Sequence, residues 1–321
     1  MSTDWFGTPL RPLDGGYSGE TFLVGDHDAE QVLRIYARDP GRSVVDASLL
    51  TLLDGVLPVP RIVDVRAPHG EQPGLLVTAR LPGQRLDLVL PTASVDQRVA
   101  LGVSLGRVLA TLSGIPMLRV GMFDGPDLRL GDGLPSGGLG GWARHFRDGG
   151  RLASWHDDDW HSLMSLADNA ETLLDGGDWG DKEVEAARSR RVLVHSDFNP
   201  KNILVDPATA EVTGLLDWEF AHAGSPYADI GNLTRFERHP DFVDAVVVTL
   251  VEHAPALAGD PVLMGRAADM WALVELAGGS PTNPVRGLAT QLLLAQARAG
   301  DLMAWPWDSP RVDPVANNAV F

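Results

Sequence analysis

The feature that most constrains this 321-residue chain is the stretch 191–220, in which short apolar runs alternate with polar residues. The runs at 192–194, 203–205 and 212–216 are rich in Val, Ile and Leu and are bounded by turn residues. Runs of this kind predict short strands. The polar residues then fall at strand ends and in the connecting loops, which is a layout typical of an active site rather than of a buried core.

Four of these polar residues could lie close together at one end of the strands: His195, Asp197, Asn202 and Asp217. Asp197 precedes Asn202 by five residues, and Asp217 follows Asn202 by fifteen. Phosphoryl transfer depends on positioning, on a metal that neutralises the phosphates and on a carboxylate beside the attacking hydroxyl. Kinase-fold enzymes supply these groups at this spacing. We therefore expect Asp197 to orient and deprotonate the acceptor hydroxyl. We expect Asn202 and Asp217 to hold Mg²⁺, which prefers oxygen ligands.

On these motifs the chain resembles the aminoglycoside phosphotransferase family of kinase-like enzymes. The family's His-Gly-Asp-x-x-x-x-Asn loop appears at 195–202 with Ser in place of Gly, and its Ile-Asp-Trp-Glu motif appears at 216–219 as Leu-Asp-Trp-Glu. A Gly-x-Pro-x-x-Asp segment follows at 224–229. Ser113 stands where the family usually has a His. The similarity runs from about residue 13 to residue 235.

The resemblance implies an α+β, bilobal protein-kinase-like fold. Residues 1–80, which are mostly strands and turns, would form the nucleotide-binding lobe. Residues 81–321, where the pattern is mainly helical, would form a larger lobe with the catalytic loop and the acceptor site. The segment 124–141 contains seven glycines, lacks a Gly-Lys-Ser/Thr ending and is predicted to be a mobile loop.

Two elements of the first lobe are predicted from the residues themselves. Residues 31–36 alternate in the manner of a half-buried strand, with Arg34 on the same face as Val32. Residues 43–53 form an apolar stripe typical of a short helix, for which Ser43 is the expected cap.

The residues expected to bind the nucleotide are assigned mainly from the resemblance. It makes residues 15–21 the loop over the phosphates, whereas an ordinary β-hairpin is the simpler interpretation of the same residues. It makes residues 77–80 the hinge that offers backbone groups to a purine. The residues assigned to the nucleotide in this way are Gly16, Ser18, Gly19, Arg34, Asp46, Thr78 and Arg80.

Arg34 occupies the position of the family's strand-borne lysine, and Asp46 the position of the helix acid that pairs with it. The chain has only two lysines, Lys182 and Lys201, so an arginine must fill this role if it is filled at all. An Arg–carboxylate pair can be bidentate and could replace the lysine electrostatically. The alternative is an exposed strand arginine beside a helix-start aspartate.

Other residues receive supporting roles. The resemblance implies that His195 shapes the catalytic loop through backbone hydrogen bonds and that Asp229 braces the loop. Glu219, Asp241 and Glu275 could line an acceptor pocket, although each of them could equally be an ordinary surface carboxylate.

Composition excludes several classes of function. The chain has no cysteine, which excludes disulfides and thiolate metal sites. Its 43 acidic residues outnumber 26 basic ones, which disfavours nucleic acid as a partner and slightly favours a cationic ligand, although solvation explains the charge as well. No apolar run approaches the roughly 20 residues that cross a bilayer. No signal peptide is evident, so we expect a cytoplasmic protein. We expect it to be a monomer or a homodimer.

Three functions compete at this point. The first is an Mg²⁺-dependent phosphotransferase that moves the γ-phosphate of ATP or GTP to a hydroxyl of an antibiotic, most often an aminoglycoside by resemblance. The second is a metabolic small-molecule kinase of the same fold, with a sugar or amino alcohol as acceptor. The third is a non-catalytic binding protein that retains the fold. The set Asp197, Asn202 and Asp217 argues against the third, since a binder needs neither the base nor both metal ligands.

Overall fold

The structure is a computed structural model. It describes residues 4–5, 8–13, 20–25, 30–131, 137–175, 190–254, 257 and 259–312. The chain divides into two compact units, which are described separately. Unit 1 comprises Met1–Ala93, Gly121–Gly131 and Pro200–Ala221, and unit 2 comprises Ser94–Val120, Asp132–Asn199 and His222–Phe321. The proposed lobe boundary at residue 80 stays a prediction.

Unit 1 contains a six-stranded antiparallel sheet. Its strands are β1 (Asp4–Trp5), β2 (Thr8–Pro12), β3 (Glu20–Val24), β4 (Gln31–Tyr36), β5 (Ile62–Arg66) and β6 (Gly74–Ala79), in the order β1-β2-β3-β4-β6-β5. Val24, Leu33 and Val77 form the buried apolar centre of this sheet. The strand predicted at 31–36 is confirmed, although burial does not alternate along it, because Tyr36 is buried as well as Leu33.

Helix α1 (Arg42–Leu53) packs its apolar stripe, including Val45 and Leu49, into unit 1. The helix is confirmed, but the prediction that Ser43 caps it is wrong. The N-cap is Gly41, and Ser43 lies inside the first turn with its hydroxyl 3.2 Å from the carbonyl of Pro40. Ser43 is fully buried, so its hydroxyl is drawn to nearby carbonyls rather than to the free amides of the helix start.

A second, three-stranded sheet in unit 1 joins distant parts of the sequence. It has the order β12-β11-β7 and consists of β7 (Gln84–Arg85), β11 (Ile203–Val205) and β12 (Val212–Leu215). Short elements flank it: α2 (Leu86–Val89) and 3₁₀ turns at Leu90–Thr92, Pro200–Asn202 and Trp218–Phe220. Strands β8 (Gly121–Asp124) and β9 (Arg129–Leu130) pair with each other as an antiparallel hairpin.

Unit 2 is mainly helical. Its elements are α3 (Val95–Ser113), α4 (Gly138–Asp148), α5 (Asp157–Asp175), β10 (Val192–Val194), β13 (His222–Gly224), α6 (Ala228–Leu233), α7 (Pro240–His253), α8 (Pro261–Ala277) and α9 (Arg286–Ala299). Helices α4, α5, α8 and α9 share one apolar core. The prediction of a loop over 124–141 is partly wrong, because β9 and the first turn of α4 lie within it and 132–136 are outside the described residues. Gly137 adopts φ 89°, which lets the chain turn into α4 despite the many glycines.

Close helix contacts in unit 2 depend on glycine. A Cβ placed on Gly231 in α6 would lie 2.0 Å from the carbonyl oxygen of Gly265 in α8, so the two backbones touch. This contact fixes the short helix that carries Asp229 against a long one. Among the described residues, no helix is long and apolar enough to cross a bilayer.

Candidate active site

In unit 1, the hairpin of β11 and β12 brings Asn202 and Asp217 to the same end. Asn202 closes the 3₁₀ turn before β11, and Asp217 follows β12 by two positions. Ile203 pairs with Leu215, and the amide of Leu216 donates to the carbonyl of Asn202 at 2.8 Å. The two residues predicted to hold the metal therefore lie close together, because an antiparallel hairpin aligns the start of one strand with the end of the next.

The guanidinium of Arg34 on β4 binds both carboxylates of the turn that follows this hairpin. Its Nη1 donates to Oδ1 of Asp217, and its Nη2 donates to Oε2 of Glu219 at 2.6 Å. Burial lowers the pKa of Arg34, but the charges of Asp217, Tyr36 and Glu219 outweigh it and raise the pKa above its ordinary value. Arg34 is thus a cation bonded to two anions.

Asp46 on α1, which the sequence paired with Arg34, is held by other partners. The Nε of Arg42 donates to Oδ1 of Asp46 at 2.6 Å, and the hydroxyl of Tyr36 donates to Oδ2 at 2.7 Å. Burial raises the pKa of Asp46, although Arg42, Tyr36 and the charge of Arg34 oppose the shift. The Nη2 of Arg42 also donates to the carbonyl of Trp218 at 2.6 Å. Arg42 therefore ties α1 to the same turn that Arg34 binds.

The donor chemistry of the turn fits a hard cation such as Mg²⁺. Asn202 and Asp217 offer amide and carboxylate oxygens, and the Asp217 side chain is 26% exposed. In the described parts of the chain, no three His, Asp or Glu side chains form a ready metal cage. Mg²⁺ is usually bound by one or two carboxylates, its remaining ligands being waters and substrate phosphates. The residues present therefore suit Mg²⁺ better than a cation that needs an all-protein cage.

Four residues assigned to the nucleotide give less information. Gly16, Ser18 and Gly19 lie outside the described residues. Thr78 is buried within β6, which pairs with β4 on one side and β5 on the other. Its role stays a prediction.

The predicted hinge at 77–80 has two backbone donors that are already engaged. The amide of Ala79 donates to the carbonyl of Arg61 at 2.8 Å, and the amide of Arg80 donates to the carbonyl of Glu30 at 2.7 Å. A purine that met this segment would not find these two amides free. The assignment of Arg80 to the nucleotide likewise stays a prediction.

In unit 2, Asp229 on α6 holds the loop that follows β10. Its two carboxylate oxygens accept from the amides of His195 and Ser196, each at 2.9 Å. Burial raises the pKa of Asp229, while His195 and the two amide bonds act to lower it. Three residues further along α6, the side-chain amide of Asn232 donates to the carbonyl of Ser196 at 3.1 Å. The loop backbone is therefore fixed from one face of a single helix.

Asp197 emerges from this fixed backbone. Its amide donates to Nδ1 of His195 at 3.3 Å, and its Oδ1 accepts from the side-chain amide of Asn199 at 2.7 Å. His195 is fully buried, with its ring edge-on to Phe198. In this geometry Nδ1 of His195 acts as an acceptor that orients the loop, whereas the Asp197 side chain keeps partial access to solvent.

The three predicted acceptor residues have different surroundings. Glu219 binds Arg34, as described above. Asp241, at the start of α7, accepts from Nε of Arg98 at 2.8 Å, and this bond lowers the pKa of Asp241. Glu275 on α8 makes no hydrogen bond within the described residues, and partial burial raises its pKa. Glu275 is thus the most available of the three, and all three stay predictions.

A buried ion pair lies within electrostatic reach of Asp197. Nε and Nη2 of Arg235 bind the two oxygens of Asp269 on α8 at 2.7 and 2.6 Å. Burial lowers the pKa of Arg235, but Asp269 outweighs it, and Asp197 and Glu275 raise the pKa further. Arg235 therefore contributes positive charge near both the predicted base and the most available acceptor carboxylate.

Sequence reasoning missed Arg42, Asn199 and Arg235. Arg42 lies just before the predicted helix, so its pairing with Asp46, four residues further on, follows only from the earlier helix start that the structure shows. Asn199 follows Asp197 by two residues, a spacing that allows a local side-chain bond. Arg235 and Asp269 are 34 residues apart, and no local pattern connects them.

Comparisons with known proteins show the family of the chain and its fold. The family model described as APH, phosphotransferase enzyme family, matches residues 9–259. A thermostable mutant of aminoglycoside phosphotransferase APH(4)-Ia, in ternary complex with AMP-PNP and hygromycin B, is similar to this chain with a TM-score of 0.60 and 19% identity, over 91% of this chain and 93% of that one. The streptomycin–ATP complex of APH(2")-IIa gives 0.59 and 16%, over 92% and 93%. At these identities the likeness shows the fold, and the predicted α+β kinase-like fold is confirmed.

The chain is also similar to curated proteins whose names do not refer to phosphotransferases. Acyl-CoA dehydrogenase family member 11 of Mus musculus is 24% identical over 177 residues, which is 55% of this chain. The chain spans about a fifth of the length of that relative.

Proposed function

Because the chain belongs to the phosphotransferase enzyme family, we propose that it moves the γ-phosphate of ATP or GTP to a hydroxyl group of a small molecule. The observation that carries the proposal is the hairpin end where Asn202 and Asp217 lie close together, linked by the 2.8 Å bond from the amide of Leu216 to the carbonyl of Asn202. Asp197, five residues before Asn202, stands on a loop fixed by Asp229. A binding protein without chemistry has no need of all three side chains.

Each of the three residues has a role that its surroundings support. Asp197 accepts the hydrogen bond of the acceptor hydroxyl, orients it and takes up its proton during transfer. Asn202 and Asp217 would hold Mg²⁺ through their side-chain oxygens. Bound there, Mg²⁺ neutralises negative charge on the transferring phosphates. His195 and Asp229 position the loop without contacting the reactants.

A nucleotide co-substrate is supported by the solved structures of the same fold, which hold ATP or its analogue AMP-PNP. The choice between ATP and GTP depends on hinge contacts beyond the engaged amides of Ala79 and Arg80. We expect the enzyme to act in the cytoplasm, where both nucleotides are available.

For the acceptor we propose an aminoglycoside-type or other antibiotic, which would give the protein a role in antibiotic resistance. The similar structures include complexes with hygromycin B and with streptomycin. An aminoglycoside is a polycation rich in hydroxyls, and the net charge of −17 together with the available Glu275 carboxylate would attract such a molecule.

A metabolic hydroxyl compound is the second candidate acceptor, and the curated relatives favour it. Their name refers to acyl-CoA rather than to an antibiotic. The same reaction would then serve a hydroxylated intermediate, such as a sugar, an amino alcohol or a hydroxyacyl thioester. The residues of the reaction centre are identical in both cases, since only the acceptor side differs.

The test is a screen for the phosphorylated product by mass spectrometry. The protein is incubated with ATP or GTP, Mg²⁺ and panels of aminoglycosides, macrolides, sugars, amino alcohols and hydroxyacyl thioesters. We expect one panel to gain the mass of a single phosphate in a nucleotide-dependent manner, and the panel decides between the two candidates. No gain with any hydroxyl compound, together with no metal-dependent nucleotide binding, would instead favour a binding protein without activity.

A further inference from the structure

Arg34 differs from a simple phosphate ligand in what it already binds. The two ends of its guanidinium donate to Asp217 and to Glu219, and its side chain is 16% exposed. The planar fork of arginine can hold two carboxylates at once, which the point charge of a lysine cannot do in the same geometry. One cation therefore balances two anions of the turn proposed to bind metal.

The backbone of this turn is held independently of Arg34. Arg42 donates to the carbonyl of Trp218 at 2.6 Å and is itself fixed by Asp46 on the same helix. Asp217 adopts φ 66°, a left-handed conformation that needs such support in a residue other than glycine. If Arg34 releases Asp217, the backbone of the turn is still held by Arg42.

Of the two partners, Asp217 is the easier one for a cation in solution to reach. Its side chain is 26% exposed, against 13% for Glu219. Glu219 can retain the other end of the guanidinium while Asp217 changes partner. A divalent cation and a guanidinium on the same carboxylate would repel each other, so the two compete for it.

We propose that Arg34 is the resident counter-cation of the Asp217–Glu219 turn, and that an incoming divalent cation displaces its guanidinium from Asp217. Arg34 thereby sets how tightly the turn binds metal. The inference rests on the proposed function, in which Asp217 is a metal ligand. It differs from the role of a phosphate ligand, because the bond from Arg34 to Asp217 acts on metal binding before the nucleotide arrives.

The test is a titration of the nucleotide-free protein with Mn²⁺, followed by the electron paramagnetic resonance signal of the free ion. Mn²⁺ stands in for Mg²⁺ because it also prefers oxygen ligands. Arg34→Met keeps the length and apolar stem of the side chain but removes the competing charge. We expect it to tighten Mn²⁺ binding by about tenfold or more, since a ligand that must displace a competitor loses affinity in proportion.

The matched control is Arg98→Met. It breaks another Arg–Asp pair of similar exposure, Arg98–Asp241 at 15% and 19%, and should leave Mn²⁺ affinity unchanged. If Arg34→Met fails to fold, Arg34→Lys replaces it, and a smaller gain in the same direction is expected because an ammonium cannot bridge both carboxylates.

Unchanged or weaker Mn²⁺ binding in a folded Arg34 variant overturns the inference and leaves the proposed function standing. Equal tightening in Arg98→Met also overturns it, since the effect would then be a general one of net charge. Asp217→Asn tests the metal site itself, separately from the effect of Arg34 on it. Wild-type Mn²⁺ affinity in that variant would contradict the metal site itself.

Discussion

Ser196 shows how a single residue can carry strain at a reaction centre. It adopts φ 68°, in the left-handed region, at the position where the family pattern has glycine. A residue with a Cβ pays roughly 1–2 kcal/mol there. The conformation persists because Asp229 accepts from its amide and Asn232 donates to its carbonyl.

We predict that Ser196→Gly raises the free energy of unfolding by about 1 kcal/mol, because glycine adopts this conformation without the steric cost. Urea denaturation followed by circular dichroism measures the change. The control is Ser165→Gly on the exposed side of α5, where glycine should lower stability by about 0.5 kcal/mol. A Ser196→Gly variant no more stable than the wild type would contradict the strain argument.

The hydrogen-bond partners of Arg34 could not be predicted from the sequence. The resemblance to the family predicted that Arg34, Asp46 and Asp217 belong to one site. It paired Arg34 with Asp46, whereas the structure shows Arg34 on Asp217 and Glu219 and Asp46 on Arg42. Arg42, four residues before Asp46 on α1, binds the carboxylate that Arg34 was expected to bind.

At the scale of elements, the contact between α6 and α8 fixes the helix that holds the proposed catalytic loop. Helix α6 has only six residues, yet it carries both Asp229 and Asn232. A helix this short is not stable alone and depends on packing. Gly231, between the two functional residues, supplies the close approach to Gly265.

We predict that Gly231→Ala destabilises the protein by about 1–3 kcal/mol, because a Cβ at 2.0 Å from the carbonyl oxygen of Gly265 forces the helices apart. The comparison is Gly287→Ala in α9, where a Cβ would meet no atom within 4 Å. That variant should gain about 0.5–1 kcal/mol, since alanine favours the helix. Equal effects of the two substitutions in urea denaturation would be inconsistent with this helix contact.

Elements differ in how well the sequence predicts them. The hairpin 203–215 was predictable, because two apolar runs are bounded by turn residues and the motif positions fall at its ends. The segment 124–141 was not, since seven glycines indicate a loop, although β9 and the start of α4 form within it. Glycine at Gly137 serves as a helix entry at φ 89°, a role that composition alone does not reveal.

At the scale of the whole molecule, buried charge shapes stability within unit 2. Arg266 is 4% exposed, and its Nε and Nη1 find no hydrogen-bond partner in the described chain. Burial and the nearby charge of Arg238 hold the pKa of Arg266 well below its ordinary range. Arg235, by contrast, is bonded to Asp269 through two hydrogen bonds.

We predict opposite effects of removing these two arginines. Arg266→Met should stabilise the protein by about 1–4 kcal/mol, since it replaces a buried charge whose Nε and Nη1 lack hydrogen-bond partners in the described chain with an apolar side chain of similar length. Arg235→Met should destabilise it by about 3–5 kcal/mol, because it leaves Asp269 charged, buried and unpaired. Guanidinium denaturation of both variants decides the matter, and a loss of stability in Arg266→Met would contradict the charge argument.

The whole chain also shows why the reaction was easier to predict than the substrate. The residues of transfer recur in fixed motifs, because every kinase-like enzyme must handle the same phosphates. The predicted acceptor residues Asp241 and Glu275 lie on separate helices, and no spacing rule connects them. The net charge of −17 and the fold identify the acceptor only as a hydroxyl compound.

The central claim, that Asp197 serves phosphoryl transfer, is tested most directly by single-turnover transfer from γ-labelled nucleotide to the acceptor found in the screen. Asp197→Asn keeps the shape of the side chain and the neighbours of the loop but cannot accept the proton. We expect the rate of transfer to fall by at least about a hundredfold, while metal-dependent nucleotide binding is retained. Transfer at the wild-type rate in Asp197→Asn would contradict the account.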